Sequence, residues 1–275
     1  MVDNTLFVIY NMFMDFGMFK DSKNRNKSPE RRLRIGFAGL AAGAGATTLA
    51  FSATEYLAAR LRNHGVSVTM LELDPGADAP AGRAYDKVGI DRRFAGRDYF
   101  SFYKAASEGR SVKSHVNIDG GINWVFRVPG EAVPAPTAAV LLRLFNNVPG
   151  DIVVCDIPAY KFLNDATGRD ALSLLLSDLD EIICIFDPLP SRLLASVPAA
   201  EACRAASHEG TKPVWVFNKF NPGADMREAA SFAGVRNYSL FPAIPIETVY
   251  RAEYACRSLA SDPEAASALG SLLKI

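Results

Sequence analysis

The feature that most constrains this chain is a series of short apolar runs, most of them ending in glycine, an acidic residue or proline. LRIGFAG (33–39) reads as a buried strand running into glycine. VSVTMLELD (66–74), DIVVCDIP (151–158), EIICIFDP (181–188), PVWVFNKF (213–220) and NYSLFPAIP (237–245) continue the series. Between them lie stretches with helical spacing: 47–65, where Leu49, Tyr56, Leu57 and Leu61 recur and Gly65 closes, then 137–147, 169–179 and 191–207. Several of the strand-like runs are apolar throughout, which marks strands covered on both faces. Strands alternating with helices imply βαβ units. The expected fold class is α/β: a mainly parallel, twisted sheet with helices on both faces.

The chain has 275 residues, enough for one large domain or two modest ones. One domain over 33–275 is the reading, because no segment offers a convincing second core. Residues 75–135 are less periodic and rich in Gly, Pro and Arg; they read as loops, a helix near 94–109 and a strand near 122–128. Hydrophobic residues are 49% and charged residues 22%, which argues against disorder. Thirty basic residues balance thirty acidic ones, so any nucleic-acid contact has to be local. The one basic stretch, Arg92, Arg93, Arg97, Lys104, Arg110 and Lys113, is interspersed with Asp91, Asp98 and Glu108 and reads as a solvated face. His64, His115 and His208 have no metal-ligand spacing, which excludes a zinc motif. The four cysteines form no CxxC pair, and Cys155 and Cys184 sit in apolar runs, so a reduced, cytoplasmic setting is expected. Trp124 reads as packing.

Residues 1–32 stand apart. TLFVIYNMFMDFGMF (5–19) is broken by Asn11, Asp15 and Gly17 and is too short to span a membrane. It reads as an amphipathic contact helix, compatible with peripheral membrane contact, or equally as an extension from a start codon placed upstream. A polar, basic linker follows over 20–34. Both are expected to lie outside the packed domain.

Ligands in such sheets bind at the carboxyl ends of the strands. The first βα turn is GLAAGAGATT (39–48). Its glycines allow a tight turn that opens a helix, and successive N–H groups there form an anion cradle. The same pattern also serves as a plain turn packing helix on sheet.

This loop resembles the deviant Walker A loop of the ParA/MinD class of P-loop ATPases, GKGGxGKTT. Gly43, Gly45, Thr47 and Thr48 match; Ala41 and Ala46 stand at the two lysine positions. LELDPGAD (71–78) resembles the family's DLDPQGN switch segment, with Glu72 and Asp74 at its acids. DIVVCDIP resembles Walker B, ending at Asp156. WVFNKFN (215–221) resembles the base-contacting segment through Asn218, and FPAIPIETVYRAEY (241–254) the segment closing over the base, with Pro245. The pieces occur in the family's order over about residues 33–260. Singly, each has a bland account: a strand-end turn for Asp74 or Asp156, a loop cap for Asn218. NKFN is also similar to the guanine motif NKxD, but Asn221 replaces the aspartate that accepts from guanine, so adenine is preferred.

The resemblance implies a set of roles. Gly43, Ala44, Gly45, Ala46, Thr47 and Thr48 would hold the phosphates of ATP or ADP, and Asn218 and Pro245 the base. Thr47, Glu72 and Asp156 would lie at Mg2+, and Asp74 would position the attacking water. It also implies a homodimer serving a secretion, pilus, division or partition machine. Phosphoryl transfer relies on cations around the β- and γ-phosphates. With Ala41 and Ala46 at the lysine positions, nucleotide binding with slow or no hydrolysis is expected. The alternative is a non-catalytic pseudo-ATPase scaffold that no longer binds nucleotide. A Rossmann dehydrogenase fits less well, since the glycines continue A-T-T.

Overall fold

The computed structural model describes residues 32–75, 83–131, 133–207, 212–223 and 225–274. The apolar segment and basic linker expected over 1–32 lie outside the described residues, except Arg32. So do residues 76–78 of the switch-like segment.

Eight strands form the sheet: β1 (Leu33–Gly39), β2 (Val68–Glu72), β3 (Ile118–Asp119), β4 (Ile122–Val125), β5 (Ile152–Ile157), β6 (Glu181–Phe186), β7 (Val214–Phe220) and β8 (Ser239–Pro242). Their order is β3-β4-β2-β5-β1-β6-β7-β8. Every pairing is parallel except β3 with β4. Strand β1 lies between β5 and β6, with Phe37 opposite Asp156 and Gly39 opposite Ile185. The chain runs outward on one side of β1 before β5 and on the other side after it. That topological switch point, at the carboxyl end of β1, is where such sheets bind ligands.

The helices are α1 (Ala46–Leu61), α2 (Arg83–Val88), α3 (Ile90–Arg93), α4 (Phe102–Ser107), α5 (Ala138–Asn147), α6 (Ala166–Ser177), α7 (Pro190–Ala206), α8 (Met226–Phe232), α9 (Ile246–Tyr254) and α10 (Pro263–Leu273). Successive strand residues point to opposite faces. In β6, Ile183 and Ile185 enter the core shared with α1 and α10. Ile182, Cys184 and Phe186 enter the other core, shared with α5 to α8. That is why the strands read as unbroken apolar runs. In α1, Leu49, Ala53, Leu57 and Leu61 are buried at helical spacing. Each of these leucines contributes roughly 1.5–3 kcal/mol by burial. A 3-10 turn (Arg62–His64) and left-handed Gly65, φ +68°, then end the helix.

A single short helix, α4, stands where a longer one was expected over 94–109. α3 ends at Arg93, Gly96 turns the chain at φ +73°, and Ser101 starts α4 by accepting from the Lys104 N–H at 3.3 Å. The strand expected over 122–128 stops at Val125, and β3 joins it through Gly120 and Gly121, both at positive φ. Trp124 is fully buried, edge-on to Phe51, as are Cys155 and Cys184. The basic stretch is largely spent on neighbours: Arg93 pairs with Glu55 and Asp119, Arg97 with Asp119, and Arg110 with Glu108.

Candidate functional site

The turn between β1 and α1 is built by its glycines and held by its alanines. Gly43 and Gly45 take φ +76° and +93°, a left-handed region that favours glycine. A Cβ on Gly45 would also meet Asn218 Nδ2 at 2.2 Å. The Ala44 N–H donates to Ala41 O at 3.2 Å, and Ala41 and Ala44 are buried. No side chain caps the start of α1, unlike α6, where Asp165 accepts from the Gly168 N–H at 2.6 Å. The first N–H groups of a helix have no carbonyl within it. Such groups, together with the positive end of the helix dipole, can attract an anion.

On the β2–β5 flank, Thr47 and Asp156 come together. The Thr47 hydroxyl donates to Asp156 Oδ2 at 2.7 Å, and both residues are buried. These are hard oxygen donors of the kind magnesium prefers, so the pair fits that ion. Glu72, expected beside them, is used differently. One of its oxygens accepts from the Ala84 N–H at 3.4 Å and the other from the Arg127 N–H at 3.3 Å. It ties β2 to α2 and to the end of β4. Burial raises its pKa to about 7, with repulsion from Asp156 and Asp74 adding to the shift and the two amides opposing it. Among the described residues, no three His, Cys, Asp or Glu side chains converge to hold a metal. Asp74 forms an ion pair with Lys161 at 2.7 Å, from the 3-10 turn that follows β5.

On the β6–β7 flank, side chains grip the loop from outside. Arg192, in the first turn of α7, donates to Ala42 O at 2.6 Å. Lys219 Nζ donates to Gly43 O and to Asp187 Oδ2, both at 2.7 Å. Asn218 Nδ2 donates to Ala44 O at 2.8 Å, and its Oδ1 accepts from the Lys219 N–H at 2.9 Å. Asn218 was expected at a base. In the structure it is buried and supports the loop. Pro245 is exposed at the start of α9, just after β8. A cavity of about 650 Å³ opens beside Lys219, between α7 and α8, lined by Leu189, Leu193, Ala229 and Phe232 and by none of the loop residues 43–48.

Sequence reading brought the loop, Thr47 and Asp156 to one place and missed Lys161, Arg192 and Lys219. Lys219 carried a signal, standing next to Asn218 in NKFN. Arg192 and Lys161 carried none, since their contacts span 150 and 87 positions of sequence.

No family model matches the sequence, and no curated protein matches it. Solved structures match the fold. A ParA family ATPase from Chlorobium tepidum TLS aligns with a TM-score of 0.67 and 13% identity, over 89% of this chain and 98% of that one. The septum site-determining protein MinD of Pyrococcus horikoshii OT3, complexed with Mg-ADP, aligns with a TM-score of 0.63 and 13% identity, over 88% and 94%. A plasmid partition protein of Borrelia burgdorferi B31 bound to AMPPNP aligns with a TM-score of 0.58 and 11% identity, over 89% and 98%. At such identities the likeness is one of fold. This chain has the ParA/MinD type of P-loop NTPase fold.

Proposed function

We propose that this chain is a ParA/MinD-like nucleotide-binding protein that holds ATP or ADP with magnesium, hydrolyses ATP slowly or not at all, and works as a dimerising positional or assembly switch. The observation that carries this reading is the uncapped start of α1 with the buried Thr47–Asp156 pair beside it. An amide cradle next to hard oxygen donors is what a phosphate–magnesium ligand requires. The nucleotides bound by the horikoshii and Borrelia proteins agree with it. In this reading residues 43–48 bind the phosphates, and Thr47 and Asp156 hold the ion. The ion would supply positive charge between the phosphates. Asp74 orients water, and its pairing with Lys161 restrains it, which with a lysine-free loop favours slow turnover. Asn218 and Pro245 would face the base.

A partner copy and an unidentified secretion, pilus, division or partition machine complete the proposal. The complex of MinC with MinD from Aquifex aeolicus is a precedent in this fold for a protein partner. Among the described residues no helix is long and apolar enough to cross a membrane. A reduced, cytoplasmic setting suits the four free cysteines. The second reading, a scaffold without nucleotide, is favoured by Asn218 being committed to the loop instead of a base.

Calorimetric titration of Mg-ATP into the purified protein tests the choice, with light scattering for association. Binding that is lost in Asp156→Ala, with dimers forming only when nucleotide is present, supports the switch. No binding by the parent protein selects the scaffold.

A further inference from the structure

Three consecutive carbonyls of the loop, those of Ala42, Gly43 and Ala44, are each held by a side chain from the β6–β7 flank. Two of the three holders are cations. Their placement is built, not incidental. Lys219 takes a left-handed φ of +60°, a costly conformation for a residue with a side chain, where the β7–β8 register slips between Phe217 and Phe220. The strain turns its ammonium back over the loop. Asp187, almost fully buried, accepts from that ammonium with one oxygen and from the Leu189 N–H, at the start of α7, with the other. The same helix then delivers Arg192. The end of β6, the end of β7 and the start of α7 thus close one clasp around the loop.

A trans peptide unit carries its C=O and N–H on opposite sides. A cation on the carbonyl therefore leaves the N–H side clear and polarises it. The three gripped units end in the N–H groups of Gly43, Ala44 and Gly45. That of Ala44 is spent within the turn. Those of Gly43 and Gly45 make no hydrogen bond among the described residues. We propose that Lys219 and Arg192 are positioning residues of the phosphate cradle: from outside the loop they fix and polarise its amides, doing part of what lysines within the loop would do. This rests on the nucleotide-binding reading above and adds the residues that replace the missing charge.

The test compares the parent with Lys219→Gln, Arg192→Gln and Lys219→Arg. Two probes are titrated, Mg-ATP and magnesium tripolyphosphate, and amide hydrogen exchange over residues 40–47 is followed without ligand. The expected result for each Gln variant is binding of both probes weakened about tenfold, the scale of one charge-assisted contact, together with faster exchange in the loop. Lys219→Arg should recover most of both. Arg192→Gln leaves the Lys219–Asp187 pair intact, so it decides the matter if Lys219→Gln folds poorly. Weaker binding with unchanged exchange would mean direct contact with the ligand and overturns the proposal. Faster exchange with unchanged affinity overturns it too, since the clasp would then not serve an anion. A parent protein that binds neither probe removes the nucleotide-binding reading and this proposal together; a binding parent with indifferent variants removes only this proposal.

Discussion

The two flanks of the loop are opposite in chemistry. On the β2–β5 side stand carboxylates: Glu72, Asp74 and Asp156, held by backbone amides, a lysine and a threonine hydroxyl. On the β6–β7 side stand cations, Arg192 and Lys219, which reach the loop's own carbonyls. Between them the loop 40–46, LAAGAGA, carries no charge. The cations that touch the loop stand on its neighbours and not within it. Such a loop keeps its shape and its amide dipoles, which suit binding. It lacks a side chain that can follow charge as it moves in a reaction, which catalysis needs.

The largest effect that would sharpen this contrast belongs to Glu72. Its pKa is about 7 in the folded chain against an ordinary 4.5, so the folded state binds its proton more tightly than the unfolded state does. Stability is then highest below pH 4.5 as far as this group is concerned, and falls as pH rises towards 7. The loss is on the order of 3 kcal/mol across that window. Glu181, also raised by burial and opposed by Lys274, contributes with the same sign. Urea denaturation at pH 5 and pH 8 should find the parent more stable at pH 5. In Glu72→Gln most of that difference should vanish, even though one glutamine oxygen cannot serve both amides. An unchanged pH dependence would show that the acidic flank is not under this strain.

Glu72 also shows where sequence stops informing. Its position at a strand end was legible, because the mainly apolar run of β2 stops there. Its direction was not, because the amides of Ala84 and Arg127 reach it only once α2 and the end of β4 are placed. The strands, α1 and the loop could be read because each is local: runs, periods, glycines. The stretch 94–109 misled because helix-forming residues flank a left-handed Gly96, and two-residue β3 has no period at all. Asn218 was found by its neighbours in sequence, but its hold on the loop was not legible, since that loop lies 174 positions away. The cations of the β6–β7 flank belong to the same class of long-range fact.

A smaller effect is expected from putting charge back into the neutral loop. Ala46 opens α1 half-buried, with its Cβ near Gly39, so a longer side chain there starts from the rim of the cradle. Ala46→Lys should tighten Mg-ATP about tenfold, one charge-assisted contact, without restoring turnover. Ala41 is a different case. It is only 4% exposed, so a lysine there would have to force its stem out of packed surroundings before its charge could act. Calorimetry on Ala46→Lys checks the point. Equal affinity in parent and variant would show that the flanking cations already saturate the cradle, and would narrow the contrast between the flanks and the loop.

The smallest effect concerns Lys161, the cation on the acidic side. Its pair with Asp74 is short, but the lysine side chain is 28% exposed and the aspartate 17%. Water and salt screen such a pair, and ordering a lysine costs side-chain entropy. Lys161→Met keeps the length of the stem and removes the charge. It should cost no more than about 1 kcal/mol in thermal denaturation, and the difference should shrink as salt is raised. A loss of several kcal/mol would mean that the acids of this flank depend on Lys161 to coexist. The two flanks would then be alike in each depending on a lysine–carboxylate pair, and the asymmetry would lie in what the cations face: loop carbonyls on one side, a switch-like acid on the other. A small loss leaves the acidic flank ordered mainly by hydroxyl and amide donors. Lys161 would then be free to exchange Asp74 for another anion at little cost to the fold.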